Sequence, residues 1–508
     1  MAKLMRLLFG ALLICSVAHA AGLKEVAPGV FFRLGDVERG QSNGGFIVCN
    51  DYVIAVDAPN AEAVAEMYAE AGKISDKPVK FVVITHGHWD HHGGLKAFLA
   101  KGVTVIAHEK LCAEYVASKL QGTFIGVSDR LVLSGGGRTI EVISHGTAHS
   151  PTDTFVYLPA EGVLFTGDAV VSMASMWLGD SDIENWIQTI GKLRGLSAKT
   201  VCPGHGALGG PELLDKHEAY LLRLRDEVAF QVVQGRSYET TLEQVKLPEN
   251  KDWGVEGSLK EHVKAAYAQL TADLPEAQFS ITPRALVLIG DHYHPPAYIR
   301  PPLESVFAGI GMPVQFIYDV TKLNAANLKG VRLLVVLRDG MIWPNPTKEK
   351  PEGEAVWWMT DEQEKAIVDF VAKGGGYLAL HNVTALRRID ANVCAYRDML
   401  GSSYAGHGAG DEKFAVRVAA PDHPVTAGVK DYTASDERHN PTIHAKDITL
   451  LMQAVSGGNT SANGYVRIHG KGRVCHLANG HNREMLDLPD VQRLMANAAL
   501  WCCGIERP

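Results

Sequence analysis

One segment constrains this chain more than any other: Thr85-His86-Gly87-His88-Trp89-Asp90-His91-His92-Gly93-Gly94, directly after the apolar run Phe81-Val82-Val83-Ile84. The run reads as a buried strand, and a strand end holds side chains rigidly where a site can open to solvent. His86 and His88 are two residues apart, so extended backbone points both the same way. Asp90 and His91 follow as the chain turns toward a helix, and can face a second position close by. Imidazole and carboxylate suit zinc, and also iron or manganese. Further donors sit where other strands end: His149 in Ala148-His149-Ser150-Pro151, Asp168 in Phe165-Thr166-Gly167-Asp168, and His205 in Cys202-Pro203-Gly204-His205. A lone histidine usually serves packing or a local hydrogen bond, and His92, His108, His145 and His217 are read that way. Seven donors gathered at strand ends point instead to a metal centre.

The motif H-x-H-x-D-H, with His149, Asp168 and His205 after it in that order, resembles the metallo-β-lactamase superfamily over roughly residues 23–275. The resemblance implies an αββα sandwich with two divalent metals at one edge of its sheets, zinc first and iron or manganese on the same ligands. It implies that His86, His88 and His149 hold one metal, that Asp90, His91 and His205 hold the other, and that Asp168 bridges them. Two such cations share a water, lower its pKa and polarise the scissile group; Asp90 is the residue expected to orient the resulting hydroxide and pass on a proton. Asp57, after Val53-Ile54-Ala55-Val56, resembles the family's buried carboxylate near the metals and is expected to orient a ligand. An N-cap for a helix beginning near Asn60-Ala61 is its other reading.

Three features narrow the substrate class. His88 stands where the diiron oxygen-reducing relatives place a carboxylate, which favours hydrolysis over redox chemistry. Asp168 makes the ligand set resemble glyoxalase II, lactonases and phosphodiesterases more than the true β-lactamases. The acidic net charge and the expected export disfavour the tRNA- and mRNA-processing relatives. Separately, the stretch 169–199, with Trp177, Asp180, Asp182 and Trp186, resembles exported family members of unassigned substrate. Trp89 and Trp177 are read either as the rim of a substrate mouth or as packing.

The chain is 508 residues long, too long for one ordinary core. Short strands broken by turns fill the first part, including a hairpin around Asn50-Asp51. From Pro211 to about Leu274 the pattern turns helical, with a break near Leu247-Pro248-Glu249-Asn250. A fresh α/β alternation starts at Arg284, with strands at 285–290, 331–337 and 377–380 and a helix opened by Thr360. This reading divides the chain into a leader at 1–20, a metal domain at 22–278 and a second α/β domain at 284–506.

The second domain carries Lys373-Gly374-Gly375-Gly376-Tyr377-Leu378-Ala379-Leu380-His381, then His423-Pro424-Val425-Thr426-Ala427-Gly428, Asp436-Glu437, Gly472-Arg473-Val474-Cys475-His476 and Gly480-His481. These pieces resemble the ThuA-like (trehalose-utilisation) family, which implies a doubly wound, mostly parallel sheet like that of class I glutamine amidotransferases. His381 replaces the nucleophilic cysteine of those enzymes, which argues against amidotransferase chemistry. Ligands of such sheets gather outside the carboxyl ends of strands, so His381, His407, Glu437 and His481 are the candidate pocket. A carbohydrate-associated role is what the resemblance implies.

At the N-terminus, Lys3 and Arg6 precede an apolar run, 7–17, and Ala18-His19-Ala20. That order is a secretory signal, with cleavage expected after Ala20 and a periplasmic or secreted mature chain without a stable membrane span. Seven scattered cysteines (49, 112, 202, 394, 475, 502 and 503) make no disulfide framework and read mostly as buried thiols. A net charge of −8 without a basic run argues against a nucleic-acid partner. The leading expectation is an exported binuclear hydrolase that uses a metal-bridging hydroxide on an ester-like bond (thioester, lactone, lactam or phosphodiester) of a small molecule, saccharide-linked or not. The rival is a saccharide-binding or sensing protein with a non-catalytic metal domain. Oligomeric state has no signature in the sequence.

Overall fold

The computed structural model describes residues 22–172, 176–247, 259–274, 284–346, 351–387 and 394–505. The expected leader and its cleavage site lie outside the described residues, as does the expected junction at 279–283. The chain divides into two compact units, one reaching Leu221 and the other holding Leu222–Leu247 and the residues from Leu259 onward. The division falls inside the helix Glu212–Val233, earlier than the sequence reading placed it. Hydrogen bonds show why the later helical segments belong with the second unit: Arg338 donates to the Val233 carbonyl, and Arg236 to that of Pro344.

The first unit contains two sheets. In the larger, Leu23–Ala27, Val30–Arg33, Gly44–Val48 and Val53–Val56 run antiparallel, and Val79–Val83, Thr104–His108 and Phe124–Val127 continue it in parallel. In the smaller, Arg130–Gly135, Arg138–Ile143, Phe155–Leu158 and Val163–Gly167 are antiparallel, with Thr200–Pro203 parallel at the end. Strand side chains alternate between faces. Ile54 and Val56 therefore enter the apolar layer shared with Val142, Val156 and Phe165 of the smaller sheet. Val53 and Ala55 face the opposite way, onto Val64 and Met67 of the helix Ala61–Ile74. The helix Ile183–Gly195 runs beside the smaller sheet, and Tyr157 donates a hydrogen bond to Leu196 at its end. This is the expected αββα layering.

The second unit is built on a nine-stranded sheet. Val314–Ile317, Ala285–Ile289, Leu333–Leu337, Gly376–Leu380 and Gly472–Leu477 are parallel neighbours. Asn459–His469, Thr449–Ser456, Glu412–Val418 and Tyr432–Asp436 extend them antiparallel. The three central parallel strands, Ala285–Ile289, Leu333–Leu337 and Gly376–Leu380, are buried throughout and almost entirely apolar, as burial on both faces requires. The helix Asp361–Ala372 begins with a capping box between Thr360 and Gln363 and buries Ile367 and Val371 against one face. All seven cysteines outside 1–20 are free. Among the described residues no helix is long and apolar enough to cross a membrane.

Candidate metal centre

The strand Val79–Val83 ends just before the histidine motif, and a single helical turn, Trp89–His92, follows with His88 as its N-cap residue. This short path presents ligands in two directions. His86, His88 and His149 form one group whose donor atoms lie within 4.8 Å of one another, and Asp90, His91 and His205 form a second. His149 Nε2 is 3.0 Å from His88 Nδ1. Asp90 Oδ2 is 3.0 Å from His205 Nε2 and 3.8 Å from His91 Nε2. Ligands about 2.1 Å from a tetrahedral ion stand roughly 3.4 Å apart, so these separations match a cation in each group. Asp168 reaches both, with Oδ1 3.1 Å from His91 Nε2 and Oδ2 3.5 Å from His205 Nε2 and 3.8 Å from His149 Nε2. His86 Nε2 is buried without a hydrogen-bond partner. An orphaned buried nitrogen is costly unless something absent from the chain completes it. The donor set and this orphan fit a pair of divalent metals.

Asp57 orients the second group. It is buried, and its Oδ2 accepts from His91 Nδ1 at 2.9 Å while Oδ1 accepts from the Thr85 backbone N–H at 2.7 Å. The helix that follows is capped by Asn60, whose side chain accepts from Ala63 N–H, so the N-cap reading of Asp57 does not hold. The backbone of Asp57 has φ +62°, a left-handed conformation that Asp and Asn tolerate better than most residues.

Other supports are invisible in the motif. Asp153 is buried and accepts from the Ala148 and Ser150 backbone N–H groups and from the Ser150 hydroxyl, fixing the loop that carries His149. Burial pushes its carboxyl up to about 7 against the pull of those donors. Asn43 donates to the carbonyls of Pro203 and Gly206, on either side of His205. Gly204 is required by space, since a Cβ there would stand 2.0 Å from Asp168 Oδ1. Asp180 approaches His88 Nε2 at 3.1 Å, leaving Nδ1 for the cluster.

Electrostatics divide the histidines. Burial, then the charge of His91, holds the His86 imidazole well below its ordinary pKa, and burial takes His149 down to about 4. Both therefore present neutral lone pairs, the form a metal needs. Burial also opposes charge on His205, yet Asp168 and Asp90 outweigh it and bring the ring up to about 9. In the same way Asp168 and Asp57 raise His91 well above its ordinary value against burial. Asp57, Asp90 and Asp168 thus favour positive charge in the second group, as carboxylates arranged for a cation would.

The remaining aromatic and histidine residues take local roles. His92 meets the Tyr115 hydroxyl, His108 caps the helix Glu109–Ala117, and His217 accepts from Val171 N–H. The carbonyl of His145 accepts from Asn185, and its ring tilts toward Phe155. Trp186 is buried and stands edge-on to His149, with its indole N–H on the Ala169 carbonyl. Trp89 and Trp177 are exposed, 65% and 54%, which favours the rim reading over packing for both.

The second unit gathers its own polar cluster. His381, His407, Glu437 and His481 do come together, joined by His294 and His439, which the sequence reading missed. Glu437 Oε1 lies 2.9 Å from His407 Nδ1, and Oε2 lies 2.9 Å from His439 Nε2 and 3.4 Å from His381 Nε2. His294 Nε2 is 3.0 Å from His481 Nδ1. The signal that could have found His294 is the rule used elsewhere: it follows the end of a parallel strand, Ala285–Ile289.

Comparison with known proteins agrees with this architecture. Residues 37–205 match the model of the metallo-beta-lactamase superfamily, and residues 284–502 match that of the trehalose utilisation (ThuA) family. The chain therefore joins a metallo-β-lactamase superfamily domain to a ThuA domain. A type 2 metallo-beta-lactamase of Bacteroides fragilis is 29% identical over 34% of this chain and 72% of its own length. The alpha subunit of the 2,4-dinitroanisole O-demethylase of Nocardioides is 31% identical over 30% of this chain and 49% of its own. The hydroxyacylglutathione hydrolase of Rhodobacter capsulatus is 26% identical over 30% and 57%. Among solved structures, a metallo-beta-lactamase from Pontibacter korlensis is similar over 40% of this chain and 98% of its own, at 24% identity and a TM-score of 0.37.

Proposed function

We propose that the first unit is a binuclear metal-dependent hydrolase acting on an ester-like bond, a thioester, lactone, lactam or phosphodiester, in an exported protein. That the chain is a metallo-β-lactamase superfamily hydrolase rests on the family match and on relatives such as the hydroxyacylglutathione hydrolase. The binuclear reading is carried by one observation: two groups of three donors share Asp168 between them. Two divalent ions bound there supply an acidified water as nucleophile and a Lewis acid for the scissile oxygen. The chain's own residues do the rest. Asp90 is partly open to solvent, with 18% side-chain exposure, and accepts from His205. It can take a proton from an attacking water and return it to a leaving group. Asp57 and Asp180 hold His91 and His88 in place, and Trp89 and Trp177 offer apolar surface to a substrate at the rim.

Export is supported by the charged, apolar, small-residue order of positions 3–20. A carbohydrate association for the second unit, and a saccharide-linked small-molecule substrate, are supported by the trehalose-utilisation family match.

The test is a hydrolysis panel on the purified mature chain loaded with zinc, covering thioester, lactone, β-lactam, phosphodiester and sugar-ester substrates. Chelated protein and Asp90→Ala serve as controls, with metal content measured in each. Turnover of one class that disappears in both controls is the expected result. A chain with both metals bound and no turnover on any class would overturn the ester-hydrolase reading in favour of a saccharide-binding role.

A further inference from the structure

The geometry points to a further metal site in the second unit, separate from the binuclear centre: a mononuclear site for a first-row divalent cation, held by His294, His381, His481 and Glu437. The donor atoms of these four residues lie within 4.8 Å of one another. They come from four separated segments, each placed just after a strand: Ala285–Ile289, Gly376–Leu380, Tyr432–Asp436 and Gly472–Leu477. Three of those strands, Ala285–Ile289, Gly376–Leu380 and Gly472–Leu477, belong to the parallel part of the sheet, with Leu333–Leu337 between the first two, so their carboxyl ends share one edge.

The hydrogen bonds around the cluster aim lone pairs inward. His381 Nδ1 faces the Ala478 carbonyl at 3.0 Å. A carbonyl only accepts, so Nδ1 carries the proton and Nε2 presents its lone pair to the cluster. His381 is fully buried, and that Nε2 has no hydrogen-bond partner. His294 Nδ1 faces Asp291 Oδ1 at 2.7 Å, so its Nε2 is likewise a lone pair directed at His481. Asp291 is itself held by Asn382 and by the Asp339 N–H. His481 is positioned from below, its backbone N–H and that of Gly480 donating to the buried Asp436. Glu437 is steadied by His407 and His439, which touch its two oxygens from outside the cluster. Metal-bound histidines have this arrangement, in which the second ring nitrogen is tied to a carboxylate or carbonyl.

Hydrogen bonding alone does not account for the cluster. A proton on His481 Nδ1 satisfies His294 and leaves His381 Nε2 only the Glu437 carboxylate, at 3.4 Å and without hydrogen-bond geometry. A cation at the centre satisfies all three nitrogens and the Glu437 oxygen together. His381 also adopts φ +51°, a left-handed conformation outside the common range for a non-glycine residue. It places the imidazole at this point instead of continuing the strand. Three nitrogens and one carboxylate oxygen suit zinc, iron, cobalt or manganese rather than magnesium or calcium.

Metal content of the full chain decides the matter. Wild type, His381→Ala and Glu437→Gln are loaded with zinc, dialysed and measured by mass spectrometry for zinc per chain, with circular dichroism and thermal unfolding as folding checks. The expected result is that each variant, still folded, holds one zinc fewer than wild type. A His86→Ala, His205→Ala double variant keeps that zinc while losing metal from the first unit. Should His381→Ala fail to fold, Glu437→Gln and His481→Gln decide alone, since both side chains are partly exposed. Cobalt loading gives a second readout: the visible absorption of the double variant reports a nitrogen-rich site, and it disappears on adding His481→Gln. Zinc counts equal to wild type in folded Glu437→Gln and His481→Gln would overturn the proposal. Hydrolytic activity plays no part in this count, so a failed substrate panel leaves it standing.

Discussion

Asp57→Asn separates the positioning of a ligand from the ligand itself. The carboxylate spans two partners, the Thr85 backbone N–H at 2.7 Å from Oδ1 and His91 Nδ1 at 2.9 Å from Oδ2. Asparagine tolerates the left-handed backbone at this position, φ +62°, and its carbonyl can still accept from Thr85. What it loses is the charged acceptor facing His91: an amide N–H would meet a ring N–H across the same 2.9 Å. A hydrogen bond to a charged group is worth about 1.5–3 kcal/mol. Loss of an outer partner of a metal-bound histidine typically costs about 10–100-fold in metal affinity. At about 1.4 kcal/mol per tenfold the two figures coincide, so the second group should bind zinc about 10–100-fold more weakly. The first group should lose less, because Asp57 reaches His86 only through the Thr85 hydroxyl, 3.2 Å from His86 Nδ1. The assay is a chelator-competition zinc titration, run in a His381→Ala background so that the second unit does not contribute. Unchanged affinity in both groups would refute the positioning role. An equal loss in both, with a lowered melting temperature, would mark general damage to the fold instead.

Three further outcomes follow from the same geometry. Gly204→Ala should cost about 1–3 kcal/mol of stability and weaken metal binding in both groups, because the new Cβ would fall 2.0 Å from the shared Asp168; denaturant unfolding and metal content check it. Asp153→Ala strands three donors around the His149 loop and should destabilise by roughly 3 kcal/mol, with zinc loss confined to the group containing His149. Trp89→Ala, at a side chain 65% exposed, should change stability by no more than about 0.5 kcal/mol while raising KM for whichever substrate the panel identifies; an unchanged KM would remove Trp89 from the substrate path.

The first site was readable because its donors are dense and its scaffold is periodic. Four of the seven lie between His86 and His91, and the other three close strand or loop segments whose apolar runs are visible in the sequence. The residues that position them were not readable in the same way. Asp180 meets His88 across 92 positions of chain, and Asn43 meets the backbone beside His205 across more than 150. Contacts that distant leave no periodic signal in the sequence. The turn Trp89–His92 is four residues long, too short for any helical periodicity to show. The compact units divide earlier than the sequence reading for a related reason: a helical pattern runs across 211–274, and side-chain bonds to Val233 and from Arg236 tie the later helices to the second unit.

The second cluster shows the limit of that approach from the other side. Its four inner residues span His294 to His481, one from each segment, so no window of the sequence contains two of them. Three were found because they sit at recognisable strand ends within motifs. His294 was passed over in a tripeptide, His292-Tyr293-His294, where alternation alone does not say which ring turns inward. The structure decides it through Asp291, which accepts from the His294 backbone N–H and from its Nδ1. The same carboxylate thus fixes both the turn and the ring. A dispersed site of this kind is specified less by its ligands than by the neighbours that hold them, and in this unit those are Asp291 and the Ala478 carbonyl at the rings of His294 and His381, and Asp436 at the backbone of His481.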